Sequence, residues 1–338
     1  MRSAILEQPG QISIKDRDVP TPGPGELLLR VKCATTCGTD LKAYLRGHPQ
    51  IPMPGPFGHE YAGEVSKVGD GVTAFSPGDE VMGVHSAPCG DCHWCLRDQE
   101  NLCHSTMEKK ILGSFSEYLL IPKHIVSRNL FPKPAQLEFL RASLLEPLAC
   151  VANAVSRIVL RPDDRILLIG TGSIGLLFRG ALRMMGSPAV YLLGRRQERL
   201  SFMESNGIQS FDAAGLDDLI RRETEGRGFD LVVECAGNVD AWTAATKAVR
   251  RGGTVVLFGG CPAGSSFQID TSRLHYDDIT IISPFHFGVN AVRRAREWLL
   301  SDKFDPGPLI TSSAPLENVT DVFELLKSGS GIKVALVP

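Results

Sequence analysis

The chain reads RILLIGTGSIG from Arg165 to Gly175, and this stretch predicts the central architecture. The apolar run Arg165–Ile169 is typical of a buried β-strand, and a helical pattern from Ile174 to Met185 follows the glycines. In such a Gly-x-Gly-x-x-Gly loop, the first glycine makes a tight turn, the second lets the backbone approach a pyrophosphate, and the third lets helix and strand pack closely. The helix N-terminus then faces the phosphate charge. The stretch predicts a dinucleotide-binding unit, and the alternative is an ordinary strand–helix turn.

Further apolar runs beyond this loop alternate with helical patterns. Strand-like runs cover residues 189–193, 229–234, 254–258 and 279–282, and helix-like stretches cover 197–206, 291–300 and 316–327. This alternation predicts an α/β protein with a doubly wound parallel sheet of the Rossmann type. Upstream of residue 150, proline-rich turns around short apolar runs such as Leu27–Val31 predict a part rich in β-strands and loops.

Length, charge and cysteine content narrow the class of protein. The 338 residues correspond to about two domains of roughly 150 residues each. Lys and Arg total 36 against 38 Asp and Glu, and this balance argues against a basic nucleic-acid-binding protein. No apolar run reaches the length of about 18 residues that a membrane span needs, and the N-terminus lacks a signal-peptide pattern. We therefore expect a cytoplasmic protein whose nine cysteines are thiols or metal ligands rather than disulfides.

The end of the second predicted Rossmann strand indicates which dinucleotide binds. Dinucleotide sites normally carry an acidic residue about 20 residues beyond the first glycines, where it binds the ribose 2′-hydroxyl. Here Gly194 is followed by Arg195 and Arg196. A glycine leaves room for a 2′-phosphate and guanidinium groups pair with it, so the sequence predicts a preference for NADP(H) over NAD(H). The alternative is that both arginines are solvated residues at a helix start.

Four cysteines lie close together in a segment rich in glycine and charged residues. Cys89, Cys92, Cys95 and Cys103 have the spacing Cys-x2-Cys-x2-Cys-x7-Cys. Four thiolates with no open position are typical of a structural zinc site, here predicted in a lobe over residues 88–105. An iron–sulfur cluster is the alternative, because related spacings bind clusters.

A second set of potential metal ligands is spread over the N-terminal half. Cys37, His59 and Glu146 supply the thiol, imidazole and carboxylate of a catalytic zinc site that keeps one position open. Their spacing alone does not group them, and each is also compatible with an ordinary structural role.

Together, these motifs resemble the zinc-dependent medium-chain dehydrogenases, which include alcohol, sorbitol and threonine dehydrogenases. The resemblance covers nearly the whole chain and rests on the four-cysteine lobe, the glycine loop and the motifs Cys37–Asp40, Gly58–Glu60, Gly78–Val81 and Glu146–Ala149. It implies a β-rich, GroES-like catalytic domain formed by residues 1–150 and 287–338. A Rossmann domain at residues 151–286 lies between these two segments in the sequence.

The resemblance also implies the ligands of two zinc ions. In this family the catalytic zinc is bound by the residues that match Cys37 and His59. Glu60 and Glu146 are alternating candidates for the third ligand. The polyol and threonine branch has a glutamate at the position of Glu146, and the residue that matches Glu60 in that branch binds zinc directly or exchanges with water. Asp40 is expected to orient a ligand or close a local turn.

Proton transfer is implied to begin at Thr39 and pass through the cofactor ribose. Many alcohol dehydrogenases end this relay with a histidine where this chain has Lys42. The outer end of the relay is therefore open among Lys42, His48 and direct transfer to water.

Further family positions contact the cofactor. The resemblance places cofactor contacts at Gly170, Gly172, Ser173, Ile174 and Gly175 of the glycine loop, at Gly194, Arg195 and Arg196, and at the backbone of Phe285. The neighbouring His286 faces either the substrate or the protein interior.

The implied activity is hydride transfer between NADP(H) and a small polar secondary alcohol or ketone, such as a polyol, ketose, amino alcohol or cyclitol. Three alternatives are an NADP-dependent aldose 1-dehydrogenase, a nucleotide-sensing zinc protein without turnover, and a zinc-free quinone reductase. The family also implies a homodimer or homotetramer formed through sheet edges, for which residues 253–258 and 279–282 are the candidates.

Overall fold

A computed structural model describes residues 1–338 of the chain. Its strands are β1 Arg2–Gln8, β2 Gln11–Asp16, β3 Leu27–Thr35, β4 Gly55–Pro56, β5 Glu60–Val68, β6 Glu80–Gly83, β7 Tyr118–Ile121, β8 Leu130–Pro132, β9 Ile166–Ile169, β10 Val190–Gly194, β11 Ser210–Asp212, β12 Phe229–Glu234, β13 Val249–Leu257, β14 Thr280–Ile282, β15 Ile310–Pro315 and β16 Lys333–Val337. Its helices are α1 Gly38–Arg46, α2 His104–Glu108, α3 Lys123–Val126, α4 Phe139–Ala142, α5 Leu145–Val155, α6 Ser173–Met184, α7 Gln197–Ser205, α8 Leu216–Thr224, α9 Val239–Ala248, α10 Thr271–Tyr276, α11 Val289–Leu300 and α12 Val319–Ser328. None of these helices has the length and apolarity needed to cross a membrane.

The chain divides into two compact units. The first contains Met1–Ala152, His286–Ser301 and Ile310–Pro338, and the second contains Asn153–Phe285 and Asp302–Leu309. The second unit therefore includes residues 302–309, which the sequence analysis assigned to the first domain. Packing explains this difference, because Phe304 is buried and a side-chain carbon on Gly180 of α6 would lie 3.0 Å from its ring. The missing side chain at Gly180 allows this segment to lie against α6.

The first unit is built on a seven-stranded sheet. Its strand order is β15-β16-β3-β5-β6-β8, with β7 paired to β3, and β2-β1-β4 forms a separate three-stranded sheet. The C-terminal strand β16 pairs antiparallel with β3, where Leu336 lies opposite Ala34. Phe57, Phe115 and Phe323 are fully buried in the core, with ring centroids 5.0 to 6.1 Å apart.

The second unit is a six-stranded parallel sheet with the order β11-β10-β9-β12-β13-β14. All residues of β9 are buried, as expected for a central strand covered on both faces. The strand order changes direction at β9, and open α/β sheets bind ligands at the carboxyl ends of the strands beside such a switch point. The predicted fold class, a GroES-like part with a Rossmann-type α/β sheet, is confirmed.

One expectation about the sheet edges is wrong. Residues 253–257 belong to β13, which pairs with β12 on one side and β14 on the other, so they form an interior strand. The edge on this side of the sheet is β14, Thr280–Ile282. The sequence pattern of an apolar strand does not distinguish an interior strand from its neighbour at the edge.

The third glycine of the loop is predicted to be needed for folding. A side-chain carbon on Gly175 would lie 2.1 Å from the carbonyl oxygen of Gly170, and this backbone atom cannot move without distorting the turn. We expect Gly175→Ala to lower the free energy of unfolding by about 1–3 kcal/mol, measured by urea denaturation. Gly172→Ala is the matched control, because the nearest atom to its new carbon is a guanidinium nitrogen of Arg199 at 3.4 Å. Equal losses in the two variants would contradict this steric explanation.

Candidate metal centres and nucleotide site

The four cysteines of the predicted lobe converge on one point. Their sulfur atoms all lie within 4.8 Å of one another, with Cys89–Cys103 and Cys92–Cys95 both at 3.5 Å. Four thiolates around zinc, with Zn–S bonds of about 2.3 Å, lie about 3.8 Å apart. The observed spacing therefore fits one ion, whereas the several irons of a cluster would hold the sulfurs farther apart. Short 3-10 turns at Cys95–Arg97 and Glu100–Leu102 bring the last cysteine back to the first.

A second group of ligand atoms forms where β3 ends and β5 begins. The thiol of Cys37, the imidazole of His59 and the carboxylate of Glu60 all lie within 4.8 Å of one another. The pairing of β3 with β5, with Thr35 opposite Glu60, brings these segments together. Gly58 precedes them with φ of 85°, and a side-chain carbon there would lie 2.7 Å from the Phe115 ring. Glycine is therefore required to turn the chain toward His59.

Asp40 contacts both Cys37 and His59. It is fully buried, and its Oδ2 accepts a hydrogen bond from the backbone N–H of Cys37 at 3.1 Å. Its Oδ1 lies 3.2 Å from Nδ1 of His59. Asp40 therefore closes the turn at the start of α1 and directs Nε2 of His59 away from itself, which is how carboxylates orient histidine ligands.

The two oxygens of Glu60 have different surroundings. Oε2 accepts hydrogen bonds from Thr35 Oγ1 and from Nζ of Lys333, the latter at 2.5 Å, whereas the buried Oε1 has no hydrogen-bond partner. Burial raises the pKa of Glu60 to about 7, although the charge of Lys333 opposes this shift. A buried carboxylate oxygen without a partner is costly, and a metal ion beside Cys37 and His59 would satisfy it. The residues therefore fit a zinc ion.

Glu146 contributes to a neighbouring cluster. Its Oε1 lies 3.3 Å from Nδ1 of His85, and Glu146, His85 and His286 present ligand atoms within 4.8 Å of one another. The hydroxyl of Ser86 lies 2.7 Å from Nε2 of His286, and the rings of His59 and His85 are 5.0 Å apart. His85 was missed by the sequence analysis, because a lone histidine after a short strand has no recognisable spacing to the other ligands.

Of the predicted relay residues, Thr39 and Lys42 lie on α1, and His48 lies two residues beyond its end. The backbone N–H of Thr39 donates to the sulfur of Cys37 at 3.4 Å, and the Thr39 side chain is half-buried. Lys42 is half-buried one turn further along. Burial lowers the pKa of His48, and the charge of Lys42 adds to this effect. The two candidates for the outer end of the relay are thus close enough to interact electrostatically.

The glycine loop follows β9 as predicted. Gly170 has φ of 129°, in the region that favours glycine, and Gly172 precedes the first turn of α6, which begins at Ser173 and Ile174. At the end of β10, a side-chain carbon on Gly194 would lie 2.7 Å from the side chain of Thr171. Packing thus provides a reason for Gly194 that the sequence did not reveal.

A third arginine accompanies the two that the sequence predicts after β10. Arg195 and Arg196 are exposed, and the guanidinium of Arg195 lies 3.9 Å from the exposed carboxylate of Asp240. Arg199 was missed, although it lies in the first turn of α7, three residues after Arg196, which directly precedes this helix. Its half-buried guanidinium approaches the position of Gly172, and burial lowers its pKa, with a further contribution from Arg196.

Phe285, the predicted backbone contact of the nicotinamide, has an exposed side chain. Its carbonyl oxygen accepts a hydrogen bond from Nδ2 of Asn153 at 3.4 Å.

Comparison with known proteins relates both parts of the chain to dehydrogenases. Residues 23–134 match the family of alcohol dehydrogenase GroES-like domains, and residues 173–301 match the family of zinc-binding dehydrogenases. The chain is 29% identical over 332 residues to L-threonine 3-dehydrogenase of Coxiella burnetii, with 94% of each protein covered. It is 28% identical to sorbitol dehydrogenase of Halalkalibacterium halodurans, covering 97% of this chain and 96% of that protein.

Solved structures show the same relationship. An alcohol dehydrogenase from Thermus sp. ATN1 superposes with a TM-score of 0.88 at 29% identity, covering 100% of this chain and 99% of that one. A zinc-binding dehydrogenase from Sinorhizobium meliloti 1021, bound to NADP, superposes with a TM-score of 0.86 at 27% identity and the same coverage.

The four-cysteine cluster leads to a prediction about metal content. We expect Cys92→Ser to bind about one zinc ion per chain fewer than the wild type, because a tetrahedral structural site needs all four thiolates. Its thermal midpoint should also fall, since the ion cross-links the lobe. Elemental analysis and thermal unfolding measure the two effects. Cys261→Ser is the control because Cys261 lies outside both ligand groups, and equal zinc contents in the two variants would contradict the assignment.

Proposed function

The chain belongs to the zinc-dependent medium-chain dehydrogenase family, and from this membership we propose that it transfers a hydride between NADP(H) and a small polar secondary alcohol or its ketone. It is an oxidoreductase of the alcohol and polyol dehydrogenase type. The observation that carries the proposal is the group of Cys37, His59 and Glu60 with its unpartnered buried oxygen. A thiolate, an imidazole and a carboxylate with one position left open are the ligands of a catalytic zinc.

In this proposal the chain's own residues prepare the site. Bound zinc supplies Lewis-acid polarisation of the substrate oxygen, and bound NADP(H) accepts or donates the hydride. Asp40 fixes the orientation of His59 and the turn that carries Cys37. The hydroxyl of Thr39, adjacent to this turn, accepts the proton released from an alcohol and passes it outward by way of Lys42, His48 or water.

The cluster beside this site supports a polar substrate. Burial lowers the pKa of His85 and brings that of His286 to about 3, so both imidazoles are neutral near pH 7. Neutral imidazoles both donate and accept hydrogen bonds, and Ser86 and Glu146 add a hydroxyl and a carboxylate. Such groups suit the hydroxyl or amino substituents of polyols, ketoses, amino alcohols and cyclitols. The names of the relatives, threonine and sorbitol dehydrogenases, point to the same class.

Three arginines support NADP(H) as the preferred cofactor. Arg195 and Arg196 follow β10, Arg199 lies beside the glycine loop, and Gly194 presents no carboxylate that would repel a 2′-phosphate. The relative from Sinorhizobium meliloti is bound to NADP.

We also propose a homodimer or homotetramer in the cytoplasm. The unpaired edge of β14 supports association through the Rossmann sheet, because an exposed strand edge is a ready partner for a second strand.

The decisive experiment is a substrate panel on protein of known zinc content. Polyols, amino alcohols, cyclitols and aldoses are tested with NADP+ and NAD+, and ketones with NADPH and NADH. We expect NADP-linked turnover of a polar secondary alcohol. Turnover of aldoses alone would instead establish a sugar 1-dehydrogenase, which the arginines after β10 also favour. An absence of turnover across the panel would indicate a nucleotide-sensing protein.

Cofactor preference is tested by reversing one charge. The wild-type ratio of kcat/KM for NADPH over NADH should exceed one, and Arg195→Asp should lower this ratio about tenfold or more, because it replaces a charge-assisted hydrogen bond with repulsion. Arg227→Asp is the control, since Arg227 is an exposed arginine that precedes β12, away from the carboxyl ends of the strands. A wild-type ratio below one, or equal changes in both variants, would refute the proposed preference.

A further inference from the structure

The side chain of Lys333 is fully buried, and no step of the proposed reaction uses it. Its Nζ donates hydrogen bonds to Oε2 of Glu60 at 2.5 Å and to the carbonyl oxygen of Thr36 at 2.7 Å. The side chains of Lys333 and Glu60 are both 0% exposed. A fully buried lysine is rare, and the cost of removing its charge from water is recovered only through close pairing.

The sheet explains why these groups meet. Strand β3 lies between β16 and β5, so Thr35 is opposite Ala335 on one side and Glu60 on the other. Two further hydrogen bonds, both 3.0 Å long, join Thr36 to Val334 and fix the register at this end. Lys333, the first residue of β16, therefore reaches across the end of β3 to Glu60.

The two carboxylate oxygens of Glu60 differ in their hydrogen bonds. Oε2 accepts hydrogen bonds from Lys333 and Thr35, and Oε1 is buried without a hydrogen-bond partner. A carboxylate oxygen of Glu60 lies within 4.8 Å of the ligand atoms of Cys37 and His59. Only Oε1 is free to contact an ion. A carboxylate released from the lysine would be free to bind with both oxygens, and the second oxygen would occupy a further coordination position.

We propose that Lys333 is a positioning residue that restricts Glu60 to coordination of the metal ion through one oxygen and so preserves an open position for the substrate. This inference rests on the proposed function in one respect, because both place the ion between Cys37, His59 and Glu60.

The test uses the full-length protein with cobalt in place of zinc and the variant Lys333→Met, which keeps the length of the side chain and removes its charge. We expect the metal content to stay at the wild-type value. The visible absorption of cobalt should lose intensity, because cobalt ions of higher coordination number absorb more weakly than four-coordinate ones. The four-thiolate site contributes equally to both spectra and cancels in the difference. With zinc, kcat/KM for the best substrate of the panel should fall about 10- to 100-fold.

Lys133→Met is the matched control. Lys133 is the other buried lysine of the first unit, and its Nζ lies 2.7 Å from Oε2 of Glu80 and 2.7 Å from the carbonyl oxygen of Leu137. Its replacement removes a lysine–glutamate pair far along the sheet, in which the glutamate is 41% exposed, and should leave the cobalt spectrum unchanged. In a Glu60→Gln background, Lys333→Met should cause no additional spectral change, because the lysine acts through Glu60.

Thr35→Val provides a second test that does not depend on the folding of the Lys333 variant. It removes the other donor to Oε2 with almost no change in volume, and a smaller spectral change in the same direction is expected. Unchanged spectra in the folded variants, or a change of equal size in Lys133→Met, would overturn the proposal, as would loss of the ion. Failure of the proposed reaction can be distinguished from failure of this inference. In the first case the substrate panel would give no turnover while the spectral changes in the variants remained.

Discussion

The pairing of β3 with β5 is the constraint on which the first unit and its candidate metal centre depend. It is among the longest pairings in the chain, from Leu27 opposite Val68 to Thr35 opposite Glu60. Because β-sheet register determines which side chains share an end of the sheet, a shift by one residue would move Glu60 to the other face. The observed register brings together the turn that starts at Cys37 and the residues His59 and Glu60. The candidate metal centre is therefore a consequence of strand pairing, and an ion bound there would add to an arrangement that the backbone already provides.

In the second unit the backbone also prepares the candidate site, here through the strand order and a glycine loop. The change of strand order at β9 opens a crevice at the carboxyl ends of β9 and β12, and the glycine loop occupies that position. Close neighbours require a glycine at two positions there: the carbonyl of Gly170 at Gly175, and the side chain of Thr171 at Gly194. A nucleotide phosphate can approach this surface because the backbone, rather than side chains, forms it.

The sequence predicts the features that depend on neighbours along the chain and misses those that depend on distant ones. The glycine loop and the four-cysteine cluster have local spacings, and in the structure the loop joins β9 to α6 and the four sulfurs converge. Arg199 lies in the first turn of the helix that follows the predicted arginines, so it could have been found from its position along the chain. Lys333 and His85 could not, because their partners Glu60 and Glu146 are brought to them by sheet pairing and helix packing. Contacts between distant residues also explain why residues 253–257 are wrongly expected at a sheet edge, since β13 pairs with β14. They likewise explain why residues 302–309 fall in the second unit, since this assignment depends on packing against Gly180.

The two glutamates that the family resemblance treats as alternatives are distinguished by their partners. Glu60 faces an ammonium group that can only donate, so one oxygen is held and the other stays unpartnered. Glu146 faces the imidazole of His85, and hydrogen bonding to this ring helps to keep its pKa, about 2, below the usual value despite burial. Two carboxylates in one protein are given different roles when their environments separate their pKa values, and burial alone would have raised both. The histidine after β6 thus lowers the pKa of Glu146, whereas burial raises that of Glu60 against the charge of Lys333. The unpartnered oxygen of Glu60 is the reason why Glu60 is placed on the metal in the proposed site and Glu146 among the groups that receive a polar substrate.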